Sequence, residues 1–211
     1  MAFRAATRRI IPTSSSFSRP MMASASASAS ATAPVPVSAR FAAPRSFHST
    51  PRAFVKVGDE VPNIEVLHED SPANKVNLAK EFGLGVPNGL IIGVPAAFSG
   101  TCSQKHIPSY INHPKLADAG QVFVVSVNDA FVMKAWADQL DPTRASGIRF
   151  LADPTAAFTK ELDLGFDATP IFGGVRSKRY ALVVKDGKIK TVHVEPDNTG
   201  TSVSMAEEVL H

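Results

Sequence analysis

Leu90-Ile91-Ile92-Gly93-Val94 is a continuous apolar run that ends at Pro95 and leads, through Ala96-Ala97-Phe98-Ser99-Gly100-Thr101, to Cys102. A run without polar alternation is the pattern of a strand covered on both faces. Pro95 ends it, because proline has no amide to give to a ladder. Ser99 or Thr101 then caps a helix running from about Cys102 to Ile111. The stretch thus reads as strand, short loop and helix, with a cysteine at the helix start.

The flanking sequence repeats that unit. Val122 to Val127 is a second buried strand. Asn128 or Asp129 caps a helix carrying Phe131, Val132, Ala135, Trp136 and Leu140 at helical spacing. Ile148 to Leu151 is a short strand. Asp153-Pro154 reads as an N-cap with proline in the first helical position, opening a helix through Leu162. Tyr180 to Val184 and Ile189 to Val194 flank Asp186-Gly187, a strong hairpin signal. Ser204-Met205-Ala206-Glu207 matches a capping box for a last helix. Upstream, Asn63 to His68 reads as a short strand, and Asn77 to Phe82 as a helical turn closed by Gly83. This order predicts an α/β fold with a mixed central sheet flanked by helices, in a single domain.

Composition bounds the possibilities. The chain has 211 residues, 44% hydrophobic and 19% charged, which excludes a wholly disordered or fibrous chain. No apolar run approaches the roughly 20 residues of a membrane span, so no membrane insertion is expected. The single cysteine excludes an intrachain disulfide, and with it a disulfide-stapled secreted domain. The net charge of +3 is unevenly spread. Residues 1–52 hold seven arginines, no lysine and no acid, and the rest holds 15 basic against 19 acidic residues. The basicity is a property of the first quarter and argues against nucleic-acid binding by the folded part. That quarter is Arg-, Ser- and Ala-rich, the composition of a disordered mitochondrial transit segment. Arg45-Ser46-Phe47-His48-Ser49-Thr50 resembles a two-step processing site and places the mature start near Val55. The expected organisation is a transit segment over residues 1–54, a domain over 55–211, and a mitochondrial location.

A lone cysteine is most often inert and buried. Cys102 stands elsewhere, at a helix start and at the carboxyl end of a strand. The first-turn amides and the positive end of the helix dipole stabilise a thiolate over a thiol. His106, four residues on, shares its helical face.

Pro95 to Cys102 spells P-x-x-x-S-x-x-C, which resembles the peroxiredoxin hallmark P-x-x-x-T/S-x-x-C. Ser103, His106, Ile107 and Pro108 are similar to the type II, peroxiredoxin-5 subgroup. So are Ser126 to Val132, Leu151 to Thr155, Lys178-Arg179-Tyr180, and Val194-Glu195-Pro196-Asp197. The likeness covers roughly residues 55–210.

The resemblance implies a thioredoxin-like fold and a thiol-dependent peroxidase that forms a cysteine sulfenic acid. It makes Cys102 the peroxidatic nucleophile, with Ser99 bonding the peroxide, Pro95 shielding the thiolate and Arg179 donating to sulfur and peroxide. Arg179 is preferred to its neighbour Arg176 for its place beside Tyr180. The implied pocket residues are Phe98, Phe172 and Thr101, and His106 takes a supporting structural role. No cofactor or metal is implied. Subgroup members with a resolving cysteine carry it after the V-E-P-D segment, where this chain has Val203. A one-cysteine enzyme is therefore expected, reduced by an external thiol: glutathione with glutaredoxin, or thioredoxin. A homodimer is expected by resemblance alone. Two other readings compete, a catalytically dead thioredoxin-like binding module and a cysteine hydrolase using Cys102 and His106.

Overall fold

The computed structural model describes residues 54–83 and 85–211. The predicted transit segment lies outside the described residues, apart from Phe54.

Seven strands form one mixed sheet. In chain order they are β1 (Leu67–Glu69), β2 (Lys75–Val76), β3 (Asn88–Val94), β4 (Gln121–Ser126), β5 (Arg149–Ala152), β8 (Tyr180–Lys185) and β9 (Lys188–Val194). Their spatial order is β2-β1-β5-β4-β3-β8-β9. β3, β4 and β5 are parallel, and β1, β8 and β9 run antiparallel to their neighbours. A separate two-stranded ribbon joins β6 (Gly165–Asp167) to β7 (Val175–Ser177). The helices are α1 (Leu78–Gly83), α2 (Ile107–Ile111), α3 (Ala130–Leu140), α4 (Ala157–Glu161), α5 (Thr169–Phe172) and α6 (Ala206–Val209). This is the expected thioredoxin-like fold class.

β3 explains why the sheet is covered on both sides. Side chains alternate faces along a strand. Leu90, Ile92 and Val94 enter one core with Tyr110, Met133, Trp136 and Phe150. Ile91, between them, enters the other with Phe82, Phe123, Phe158 and Tyr180. Gly93 is required by the neighbouring strand, because a Cβ there would collide with the Tyr180 ring. The Asp186-Gly187 hairpin forms as expected, with φ of 53° and 71°, the left-handed pair a two-residue primed turn needs.

Several local expectations are corrected. The first strand is only Leu67–Glu69, shorter than the expected Asn63–His68, and further upstream Val61 N donates to Gly187 O and Ile189 N to Asp59 O at the hairpin end. α3 buries Ala130, Met133, Trp136 and Ala137, so Phe131 and Ala135 lie on its exposed side. Its cap is Asp129, whose carboxylate accepts Val132 N at 2.9 Å. Asn128 instead accepts Ala97 N at 3.0 Å. The helix expected from Asp153 begins later, at Ala157, after Ala156 at φ 55°. The fully buried Asp153 carboxylate reaches past that turn to Phe158 N and Thr159 N. No capping box opens α6, because the Ser204 hydroxyl donates to Glu195 instead.

One ion cluster ties the sheet to α1. Arg149 on β5 makes a two-pronged bond to Glu69 of β1, at 2.9 and 2.6 Å, and donates to Glu81 of α1 at 2.6 Å. The hydrogen bonds Arg149 donates to Glu69 raise its pKa most, and the one to Glu81 adds to the effect against partial burial. Removing the cation leaves two partly shielded carboxylates facing one another. Arg149→Ala is expected to lower the unfolding free energy in urea by about 2 kcal/mol, below the range for fully buried pairs because the side chain is one-third exposed. An unchanged urea midpoint would remove the cluster from the account of stability.

Candidate active site

β3 and β8 set the site. They pair antiparallel with Gly93 opposite Tyr180, so β8 starts where β3 ends. Arg179, just before β8, therefore stands at the sheet edge where the chain turns from Val94 into the Cys102 helix. Arg179 donates from Nη1 to Cys102 Sγ at 3.3 Å. Both residues are buried, Cys102 completely and Arg179 to within 2%. A buried guanidinium calls for a compensating anion, and the sulfur on which it donates can supply one as thiolate.

The helix around Cys102 is not regular. Residues Cys102–His106 form a π turn, closed by Ile107 N donating to Cys102 O, and α2 continues from it. The cause lies at Pro108 on α2. Proline cannot donate to the carbonyl four residues back, and its ring collides with that carbonyl in a regular helix. A wider turn accommodates it, and such bulges recur at functional sites. Three side-chain bonds hold the turn from outside. Trp136 Nε1 donates to Ser103 Oγ at 2.9 Å, and His106 Nε2 and Tyr110 OH both donate to Ser204 O, at 2.9 and 2.6 Å.

Arg179 is fixed along its length. Its amide donates to Asn198 O at 2.7 Å, its Nε to Thr199 O at 3.1 Å, and its carbonyl accepts Glu195 N at 3.0 Å. Residues 195–204 thus form a bracket around it. Glu195, 1% exposed, organises that bracket. Its carboxylate accepts five bonds: the amides of Ser202, Val203 and Ser204, and the hydroxyls of Ser202 and Ser204. Burial pushes its pKa up, but these bonds outweigh that and hold it at about 2.

The other expected site residues are less close-knit. Pro95 is buried at the strand end, next to the Cys102 loop. Ser99 does not cap the helix through its side chain; its hydroxyl turns back to Ala96 O at 3.0 Å, and its carbonyl accepts Ser103 N. Thr101 is exposed, lies in helical conformation and makes no capping bond. Phe98 is 48% exposed and holds φ at 61°, a conformation uncommon for an aromatic residue and strained by about 1–3 kcal/mol. Phe172 is half-buried, with the Arg176 guanidinium 5.5 Å from its ring centre. Arg176 itself donates to Val127 O and Phe172 O, which makes it a tie between loops rather than a neighbour of the sulfur.

His106 is fully buried. Burial, then the charge of Arg179, lower its pKa to about 3 against the opposing effects of Ser204 O and Glu195. Its proton sits on Nε2, since a carbonyl only accepts. A neutral ring committed to Ser204 is not placed to take a thiol proton. Among the described residues no His, Cys, Asp or Glu cluster is suited to a metal ion, and no helix is long and apolar enough to cross a membrane. The sequence assigns no place in the site to Glu195, Ser204, Tyr110 or the Trp136–Ser103 bond. Glu195 stands within the V-E-P-D motif, but its work is done through backbone amides that no side-chain pattern displays.

Known proteins resemble this chain in sequence and fold. A family model described as Redoxin matches residues 56–210. The chain is 40% identical over 159 residues to peroxisomal membrane associated protein 20 of Schizosaccharomyces pombe, covering 74% of this chain and 97% of that one. The reduced Prx3 of Vibrio vulnificus, solved in complex with hydrogen peroxide, is 37% identical with a TM-score of 0.65, over 74% of this chain and 98% of that one. Peroxiredoxin 5 from Alvinella pompejana is 35% identical with a TM-score of 0.61, over 69% and 92%.

The buried imidazole gives a pH test. The unfolded chain takes up the proton near the ordinary 6.5, whereas the folded one resists it to about 3. Its stability contribution is therefore whole above pH 6.5 and is lost as pH falls from there toward 3. His106→Gln, which keeps a donor for Ser204 O without titrating, is expected to flatten the fall in melting temperature between pH 6.5 and about 5. A melting curve as steep as that of the parent would show that another group carries the dependence.

Proposed function

The chain belongs to the redoxin family as a peroxiredoxin, a thiol-dependent peroxidase of antioxidant function, and from that premise we propose that Cys102 is the nucleophile and Arg179 its principal activating donor. The observation that carries this assignment is the 3.3 Å bond from Arg179 Nη1 to Cys102 Sγ inside a site closed to water.

The Cys102 thiolate attacks one oxygen of a hydroperoxide, the O–O bond breaks, and the leaving oxygen takes its electron pair and a proton to become water or an alcohol. Sulfur is left as sulfenic acid. Negative charge moves from sulfur to the leaving oxygen during the step. Arg179 holds it at both ends, and its fixed position means that little reorganisation is needed. Backbone amides at the start of the helix, ahead of the Ser103 N to Ser99 O bond, supply further donors. The Ser99 hydroxyl is freed from Ala96 O to bond the peroxide. Pro95 keeps water from the sulfur, and Phe98, Phe172 and Thr101 form the approach.

With one cysteine in the chain and Val203 where a second would stand, the sulfenic acid awaits an outside thiol. That thiol forms a mixed disulfide and releases water; a second thiol then frees Cys102. Glutathione with glutaredoxin, or thioredoxin, fits this requirement. A second copy of the chain is the proposed partner for the apolar side chains Phe98, Phe131, Ile171 and Val175, which are exposed. The hydrolase reading would need His106 as base to Cys102, and its ring is committed to Ser204. A binding module without chemistry would have no use for a buried cation on a sulfur.

Peroxide consumption by residues 55–211 with dithiothreitol is expected to vanish in Cys102→Ser. It is expected to fall on the order of 10²–10³ in Arg179→Ala, and less in Arg176→Ala. Dimedone is expected to trap the oxidised monomer with one added oxygen on Cys102. Full activity in Cys102→Ser, or greater damage from Arg176→Ala, would overturn the assignment.

The Arg- and Ser-rich, acid-free first 52 residues support delivery to mitochondria. Cell fractionation with mass spectrometry of the N-terminus is expected to find a mitochondrial chain starting near Val55. A full-length chain in peroxisomes or cytosol would refute this.

A further inference from the structure

We propose that Glu195 is the positioning residue of the site, holding Arg179 and the Cys102 turn in one frame through the loop it gathers; the inference rests on the peroxidase reading above.

Two independent paths lead from this carboxylate to the reacting sulfur. One runs through Arg179. Glu195 N donates to Arg179 O, and the loop closed by the carboxylate presents Asn198 O and Thr199 O to the arginine's amide and Nε. The two backbone bonds place the chain at Arg179 and the Nε bond directs the guanidinium, with Nη1 on Cys102 Sγ. The other path runs through the helix. Glu195 fixes Ser204 by both its amide and its hydroxyl, at 2.9 and 2.7 Å. The carbonyl of that same Ser204 receives His106 Nε2 and Tyr110 OH from the turn that begins at Cys102 and the helix that follows it. Nucleophile and cation come from distant parts of the chain, and both are tied to this loop, whose shape depends on one side chain.

The loop is otherwise poorly suited to rigidity. Residues 195–204 contain no helix or strand, Asn198 stands at φ 69°, and Thr199, Ser202 and Val203 are exposed. Asp197 closes only the short turn to Thr199 and Gly200. Three successive amides, from Ser202 to Ser204, converge on Glu195 Oε1. Without that acceptor they are left to water or to no partner, and the carbonyls that aim Arg179 lose their anchor. Because four of the five bonds fall on Oε1, Glu195→Gln retains them through its carbonyl oxygen, whereas Glu195→Ala loses them all.

The test is the ratio of two second-order rate constants of Cys102. One is for hydrogen peroxide, followed in a single turnover through the sole tryptophan, Trp136, which is bonded to Ser103 next to the cysteine. The other is for iodoacetamide, which reads thiolate fraction and access but has no O–O bond to polarise. In Glu195→Ala that ratio is expected to fall on the order of 10², as for a misplaced catalytic group. In Glu195→Gln it is expected to stay within about threefold of the parent. In an Arg179→Ala background only the path through Ser204 and the helix remains, so Glu195→Ala is expected to change the ratio by less there than in the parent. Should Glu195→Ala not fold by circular dichroism, Ser202→Ala/Ser204→Ala removes both hydroxyl donors and is expected to lower the ratio about tenfold. An unchanged ratio in folded Glu195→Ala or in the folded double serine variant, an equal loss in Glu195→Gln, or a full additional loss in the Arg179→Ala background would each overturn the proposal. If the parent consumes no peroxide at all, it is the peroxidase reading that fails.

Discussion

A cation and an ionisable sulfur are buried together at 3.3 Å, and most of the surrounding structure serves to keep them there. Neither is at ease alone. An uncompensated guanidinium in an apolar interior is destabilising, and so is an uncompensated thiolate. Each lowers the other's burden, and the pair is then available for a reaction in which negative charge leaves one atom and arrives on another nearby. The antiparallel register of β3 and β8 brings the two residues to the same edge of the sheet from points 77 residues apart in the chain.

The sheet and the place of Cys102 at the junction of strand and helix were legible because they are written in local patterns. The run Leu90 to Val94 is apolar because both of its faces meet a core, and the asymmetry of proline before the loop and cysteine after it marks where the strand gives way to a helix. Asp186-Gly187 and the cap at Asp129 are equally local. Arg179 was legible only through likeness to a family, since nothing within a few residues of it distinguishes it from Arg176. Their difference is tertiary: one donates to a sulfur, the other to the backbone at Val127 and Phe172.

What the sequence did not disclose has a common origin. The π turn depends on Pro108 acting six residues after Cys102, inside what reads as one regular helix. The short β6–β7 ribbon and α5 have too little apolar periodicity to announce themselves. The Glu195 bracket uses backbone amides, which every residue but proline possesses. The expected capping box at Ser204 was misread for the same reason. A hydroxyl that fits a local partner on paper was drawn instead to a buried carboxylate with greater need of donors.

The seating of Tyr180 against Gly93 bears on how such a protein can change over time. The aromatic ring next to Arg179 occupies the space that any side chain at Gly93 would need, so the two strands interlock at the point where the arginine emerges. A side chain at Gly93 would have to displace the ring of Tyr180, the residue next to Arg179. Phe98, Ile171 and Val175 are solvent-facing and free of such interlocking. Substitution at those positions alters the surface without disturbing the strand pairing from which Arg179 emerges.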